Sequence, residues 1–292
     1  MGDPLGFEES DVIALEAGLP KLRGAPGLTQ GAYGERGNLE LVVPDADDGL
    51  WVFWFNNDHS IGNLGAQPGG WSGGLRFACG TRYDGAAIVQ SRHGPNWLEV
   101  VAVGVGVARR YTWRPESGFS ETGQPWHAVG TPSAIETDDG ILHVATNSSA
   151  DGIELRTSRG SIYQQSVSGN VQGLALLLDG RLVWSDDDGF HRGTEIGGAA
   201  RQKLASAGDD VAWIEDGRVV LERGPDLALV GAALSFALAT SRTDRDRLEV
   251  VVRGEGGLWH ARLDLESRSW LTVEPIVSRV LIPPGPPVVH RY

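Results

Sequence analysis

One pattern limits this chain more than any other: a short apolar run led in by a polar turn, repeated along its length. Leu98–Gly104 reads LEVVAVG and Leu248–Gly254 reads LEVVVRG, and a third copy opens at Leu39 with LELVV. After a short loop, each is followed by a second run carrying aromatics: GLWVFW from Gly49, VARRYTW from Val107 and GLWHAR from Gly257. Short runs rich in β-branched and aromatic residues read as strands. A unit repeated along the chain marks a fold assembled from copies of one small sheet.

Six such anchors begin at Leu39, Leu98, Ile141, Arg181, Arg218 and Leu248. Their spacing is roughly 40 residues, the period of a propeller blade. Asp-Gly stands directly before Ile141, Arg181 and Arg218, and Asp-Gly between apolar runs is a strong hairpin signal. Upstream runs at Ala86–Ser91, Ser133–Thr137, Leu174–Leu178, Val211–Ile214 and Leu234–Ala239 read as the first, innermost strands. Helical periodicity is nearly absent, and 41 Gly with 15 Pro interrupt the chain throughout. The pattern therefore predicts an all-β single β-propeller over residues 1–292, six-bladed, with five or seven blades as alternatives. Residues 1–29 read as an N-terminal extension and 276–292 as a closing strand or tail. A terminal segment, the tail or Asp11–Leu19, is expected to complete a blade begun by the other end and so remove exposed sheet edges.

Charge and motifs narrow the function classes. A net charge of -13 repels phosphate, so nucleic acid and anionic membranes are not the expected partners. The lone Cys79, in RFACG, cannot form an intrachain disulfide and is expected to pack as a small hydrophobe. No basic leader with an apolar core opens the chain, and no long apolar stretch is present, which gives a cytoplasmic expectation. No zinc signature, phosphate loop, dinucleotide fingerprint or nucleophile elbow is found, so neither metal nor cofactor is expected. SDDDGFH (Ser185–His191) lacks the alternating ligand spacing of a calcium loop and reads as a solvated turn.

RLEVVVRGEGGLWHARLD (Arg247–Asp264) resembles one repeat of the bacterial and fungal propeller lectins. The stretch from NLELVVPDADDGLWVFWFNND to WSGGLRFACGTRYDGAAIVQSRHGPNWLEVVAV is similar to a propeller-repeat family frequent in actinobacterial proteins. The likeness spans Asn38–Val103 and Leu248–Trp270 and weakens from Gly130 to Val230. It implies a lectin-like module binding a carbohydrate or other small molecule. Lectins of this kind repeat their sugar contacts from blade to blade, whereas Trp54, Trp113 and His260 have no aromatic counterparts near Arg156, Arg192 or Leu229. Divergent blades suit a single site at the central channel or on one end face. Some fungal propellers similar in fold catalyse cycloadditions, so the alternative is a cofactor-independent cyclase or pericyclase acting on a polyketide or other natural product.

Two stretches, and Trp126 in PWHAVG (Pro125–Gly130), supply candidate residues. WFNNDHS (Trp54–Ser60) offers Asn57 and His59 to a polar ligand, or is a hairpin turn built from turn residues. RYDGAAIVQSRHGPNW (Arg82–Trp97) lies on a predicted inner strand, so its polar groups approach the axis or its rim. Arg92, His93 and Tyr83 are the candidate catalytic groups, as hydrogen-bond donors to a carbonyl and, for His93, as an acid or base near neutral pH. Arg82 and Gln90 are candidate ligand contacts, and Trp97 and Trp126 candidate apolar walls. The competing assignment for these residues is packing between blades.

Overall fold

The computed structural model describes residues 13–15, 20–58, 66–148, 152–167, 169–193, 195–196, 199–229, 231–241, 246–255, 257–276 and 280–282. They form a six-bladed β-propeller whose blades are antiparallel meanders in sequence order. Blade 1 runs through Gly27–Gln30, Leu39–Pro44, Leu50–Phe55 and Leu75–Phe77. Blade 2 comprises Gly85–Gln90, Leu98–Gly104, Val107–Arg114 and Gly118–His127. Blade 3 is Val129–Glu136, Leu142–Ser148, Gly152–Thr157 and Ile162–Ser166. Blade 4 is Gly173–Leu176, Leu182–Asp186, Gly189–Arg192 and Glu195–Ile196. Blade 5 has three strands, Gln202–Ala207, Asp210–Glu215 and Arg218–Leu221. A single bridge from Val219 to Leu227 stands where its fourth would run. Blade 6 is Ala233–Thr240, Arg247–Gly254, Gly257–Asp264 and Ser269–Pro275.

The first strand of each blade lines the axis and touches its counterparts on both sides, blade 6 closing onto blade 1. These strands begin at one end face, here the lower, and finish at the upper. The core is a set of apolar layers between blades. Leu39, Leu41, Phe53 and Phe55 meet Ala237, Val251 and Leu258 across the joint between blades 6 and 1. Val42 and Val52 meet Ile88, Val100 and Tyr111 between blades 1 and 2. Alternation explains this: along Leu39–Pro44 odd residues face blade 6 and even ones blade 2, so both faces are buried and the strand is apolar almost throughout.

Three expectations need correction. In blade 5 the anchor at Arg218 is the third strand and Val211–Ile214 lies in the second; the inner strand is Gln202–Ala207. QKLASA carries little apolar pattern, which shifted the reading by one strand. Cys79 is exposed rather than packed. The strand before it stops at Phe77, and Ala78 turns the chain at φ 51. At the termini, Ile13–Leu15 pairs with Val280–Ile282 in a separate two-stranded sheet. Each blade is contiguous in sequence, so the ring closes through inner-strand packing. Blade 1 begins at Gly27, inside the expected extension. None of the described residues forms a helix long and apolar enough to cross a membrane.

Candidate functional site

The anchors hide a second regularity. Their second residue is a glutamate in three blades: Glu40, Glu99 and Glu249. Each points between blades, toward the next one round the ring, and each is buried, at 8%, 3% and 4% exposure. A buried carboxylate needs partners, and the three blades supply different ones.

In blade 6, Glu249 sits opposite Arg262, whose Nε donates to both carboxylate oxygens at 3.1 Å. His260 Nε2 lies 2.7 Å from Glu249 Oε2. Strand alternation puts all three on the face toward blade 1, which contributes Phe55, Trp71 and Asn57. The Arg262 guanidinium lies 4.6 Å over the Phe55 ring, and its Nη2 donates to Asn57 Oδ1 at 3.3 Å. Phe55 and Trp71 meet the His260 ring edge-on at 5.2 and 5.3 Å. The fully buried His260 keeps its Nδ1 3.8 Å from Glu274 Oε1. That contact holds the Glu274 carboxyl below the usual carboxylate range. Of the central trio, Arg262 reaches solvent most, with its side chain 22% exposed. The crevice thus joins a carboxylate, a guanidinium and aromatic faces at the upper end of the propeller. Phe55, Glu249 and His260 are closed off at 2%, 4% and 0% exposure, so the surface itself offers the Arg262 guanidinium and part of Trp71, groups that donate to hydroxyls and stack on an apolar face.

Blade 2 repeats the carboxylate with weaker company. Arg110 Nε donates to Glu99 Oε2 at 2.9 Å and Thr112 Oγ1 to the same oxygen at 3.0 Å. In blade 1, Trp54 stands opposite Glu40 where blade 6 has Arg262. No cation of the described residues approaches, and burial alone pushes the Glu40 carboxyl up to about 8.

The residues singled out in the sequence are scattered by the structure. Tyr83 is fully buried between blades 1 and 2, its hydroxyl 2.5 Å from that of Tyr111, whose own ionisation burial pushes up. Arg92 and His93 are exposed on the upper face. The Arg92 side chain pairs with Asp138 at 2.6 Å, and its backbone N–H donates to Glu136. Gln90 closes the blade 1–blade 2 joint, accepting from Ala32 N and donating to the Ser91 and Trp97 carbonyls. Trp97 lies under the Arg114 guanidinium at 4.4 Å, and Trp126 lies between blades 2 and 3 under Arg156 at 5.3 Å. Arg82 is exposed at the lower face, away from Arg92 and His93. His59 lies outside the described residues. Of the candidates, Asn57 alone reaches the blade 6–blade 1 crevice. Sequence reasoning missed Glu249 and Arg262 because they pair across strands. The visible signal was the repeated Leu-Glu, an acid placed inside an apolar run.

Along the axis, space is scarce. The channel holds about 70 Å³ and its lower mouth about 110 Å³, while pockets for drug-sized ligands run to about 300–1,000 Å³. The cyclase alternative finds no support in this geometry. In SDDDGFH, Asp186 is buried against His191 at 2.7 Å, while Asp187 and Asp188 face solvent. Among the described residues no cluster of three His, Cys, Asp or Glu side chains could hold a metal.

No protein-family model matches the sequence, and no curated protein sequence matches it. Solved structures do share the fold. A fucose-specific lectin from Aleuria aurantia superposes with a TM-score of 0.61 at 12% identity, covering 91% of this chain and 100% of the lectin. AofleA from Arthrobotrys oligospora gives 0.59 at 11%, covering 91% and 89%. A streptogramin B lyase gives 0.51 at 15%, covering 91% and 88%.

Proposed function

We propose that this protein is a lectin-like propeller that binds carbohydrate at one site per chain, the upper-face crevice between blades 6 and 1. The observation that carries the reading is the Glu249–Arg262 pair lying over Phe55 and beside Trp71. A sugar presents vicinal hydroxyls on one edge and C–H groups on one face. Arg262, the most exposed of the group, would donate to the hydroxyls while Glu249 behind it fixes the guanidinium, and the half-buried Trp71 would take the apolar face. The fold likeness to fucose-binding lectins makes fucosylated glycans the first ligands to try. A single site follows from the divergence of the other crevices, where the same glutamate meets a threonine and an arginine, or a tryptophan. The test is a glycan array probed with wild type and Arg262→Ala. Fucosylated or other neutral glycans should bind wild type and be lost in the variant. No glycan signal for a folded wild type contradicts the reading.

A further inference from the structure

A different part of the ring has been reshaped. Three inner strands break register at their lower ends: between Val129 and Ser133 in blade 3, Gln202 and Ala205 in blade 5, and Ala233 and Ser235 in blade 6. Bulges of this kind re-aim side chains and gather beside functional sites. All three open onto the same space, the lower mouth of the channel, where Thr131, Asn147, Gln172, Lys203 and Ser235 form much of the polar lining. Lys203 holds a left-handed backbone, φ 55, that a lysine rarely adopts. Such strain persists where the surroundings impose it, often at binding sites.

The charge there is unbalanced. Among the described residues Lys203 makes no ion pair, and neither does Arg253. Arg253 Nε donates to Ser235 Oγ at 3.1 Å and to the Gly24 carbonyl at 2.8 Å, so it stands one hydrogen bond behind the wall. Burial and the nearby Arg23 lower its pKa, with no acidic group acting against them. The solvent-exposed Lys203 and the half-buried Arg253 thus place two unpaired cations at one opening on a chain of net charge -13. Asn147 lines the mouth beside Gly130, with its amide NH₂ on the Gly130 side as a donor. A mouth of about 110 Å³ has room for several waters or for one small polar group.

The geometry points to the lower mouth of the channel as a binding site for a small oxyanion, a carboxylate or a phosphate, with Lys203 as its charge partner, Thr131 and Asn147 as hydrogen-bonding groups, and Arg253 supplying the field behind. The site is separate from the upper-face crevice and does not depend on the sugar reading.

The experiment is a thermal-shift and calorimetric titration of the full chain with acetate, phosphate and chloride at matched ionic strength. Acetate or phosphate should raise Tm in a saturable way that chloride does not reproduce. Acetate alone assigns a carboxylate site, phosphate alone a phosphate site, and both together a general oxyanion site. Lys203→Met should weaken binding by about tenfold or more, while Lys21→Met, an exposed lysine away from the mouth, should bind as wild type does. Because Lys203 sits on a strained inner strand, Thr131→Val provides a second, uncharged change, expected to weaken binding less. The proposal fails if neither oxyanion binds, if chloride acts equally, or if both mouth variants titrate like wild type.

Discussion

The crevices on the two sides of blade 1 begin from the same backbone slot and end in opposite chemistry. Between blades 6 and 1, Glu249 is met by His260 and Arg262. Between blades 1 and 2, Glu40 is met by Trp54 and a close-packed Gly31, where an added Cβ would sit 3.2 Å from the Glu40 side chain. The fold supplies position, and the facing residue decides what the carboxyl meets. With a guanidinium and an imidazole beside it the glutamate anchors a polar cluster; with neither, burial raises the Glu40 pKa to about 8 and it holds its proton at neutral pH. The same slot can therefore hold a polar cluster in one joint and a packed, neutral carboxyl in the next.

The largest effect that sharpens this contrast is expected from Glu249→Ala. It leaves Arg262 and the fully buried His260 without their anion, and breaking a buried pair from one side costs about 3–5 kcal/mol. Urea unfolding measures it, and a loss under about 1 kcal/mol would mean the cluster is not coupled.

Glu40→Gln should act in the other direction and depend on pH. Below its ordinary value of 4.5 both folded and unfolded chains hold the proton. Above that value the unfolded chain releases it and the folded chain does not, so wild-type stability falls as pH rises, until the folded carboxyl ionises near 8. The glutamine variant lacks this penalty. It should gain on wild type by up to about 1.4 kcal/mol per pH unit across that window, seen as diverging urea midpoints at pH 5 and pH 9. Parallel midpoints would show that Glu40 is already ionised in the folded protein.

Tyr83→Phe tests the buried joint beneath that crevice. It strands the Tyr111 hydroxyl and should cost about 1–3 kcal/mol, read by thermal unfolding. The smallest effect belongs to Arg92→Ala on the upper face. Its pair with Asp138 is exposed, and such pairs add little. Unchanged stability is expected, and a large loss would make that surface more than a solvated rim.

The architecture was legible where local chemistry repeated. Asp-Gly turns and Leu-Glu anchors located the second and third strands, because a hairpin is written within a dozen residues. Outer strands were not legible. Gly118–His127 has little period because most of it faces solvent, and Ile162–Ser166 is exposed almost throughout. Blade 5 was misplaced by one strand because Gln202–Ala207 carries a bulge in place of a clean alternation. The candidate site was hardly legible, for another reason. Polar residues at strand ends such as Gln90 and Asn57 look like ligand contacts in sequence, yet in the structure their amide NH₂ groups satisfy backbone carbonyls of their own blades. The Glu249–Arg262 pair is formed by strand register, which only the folded sheet displays.

The most direct measurement is calorimetric titration of a free fucosylated oligosaccharide into wild type, Arg262→Ala and Arg262→Lys, each checked for an unchanged fold by circular dichroism. The account predicts one equivalent per chain for wild type, loss with alanine, and poor recovery with lysine, which lacks the guanidinium that reaches Glu249 through Nε and Asn57 through Nη2. Several equivalents per chain, or binding that survives in Arg262→Ala, would contradict a single site between blades 6 and 1.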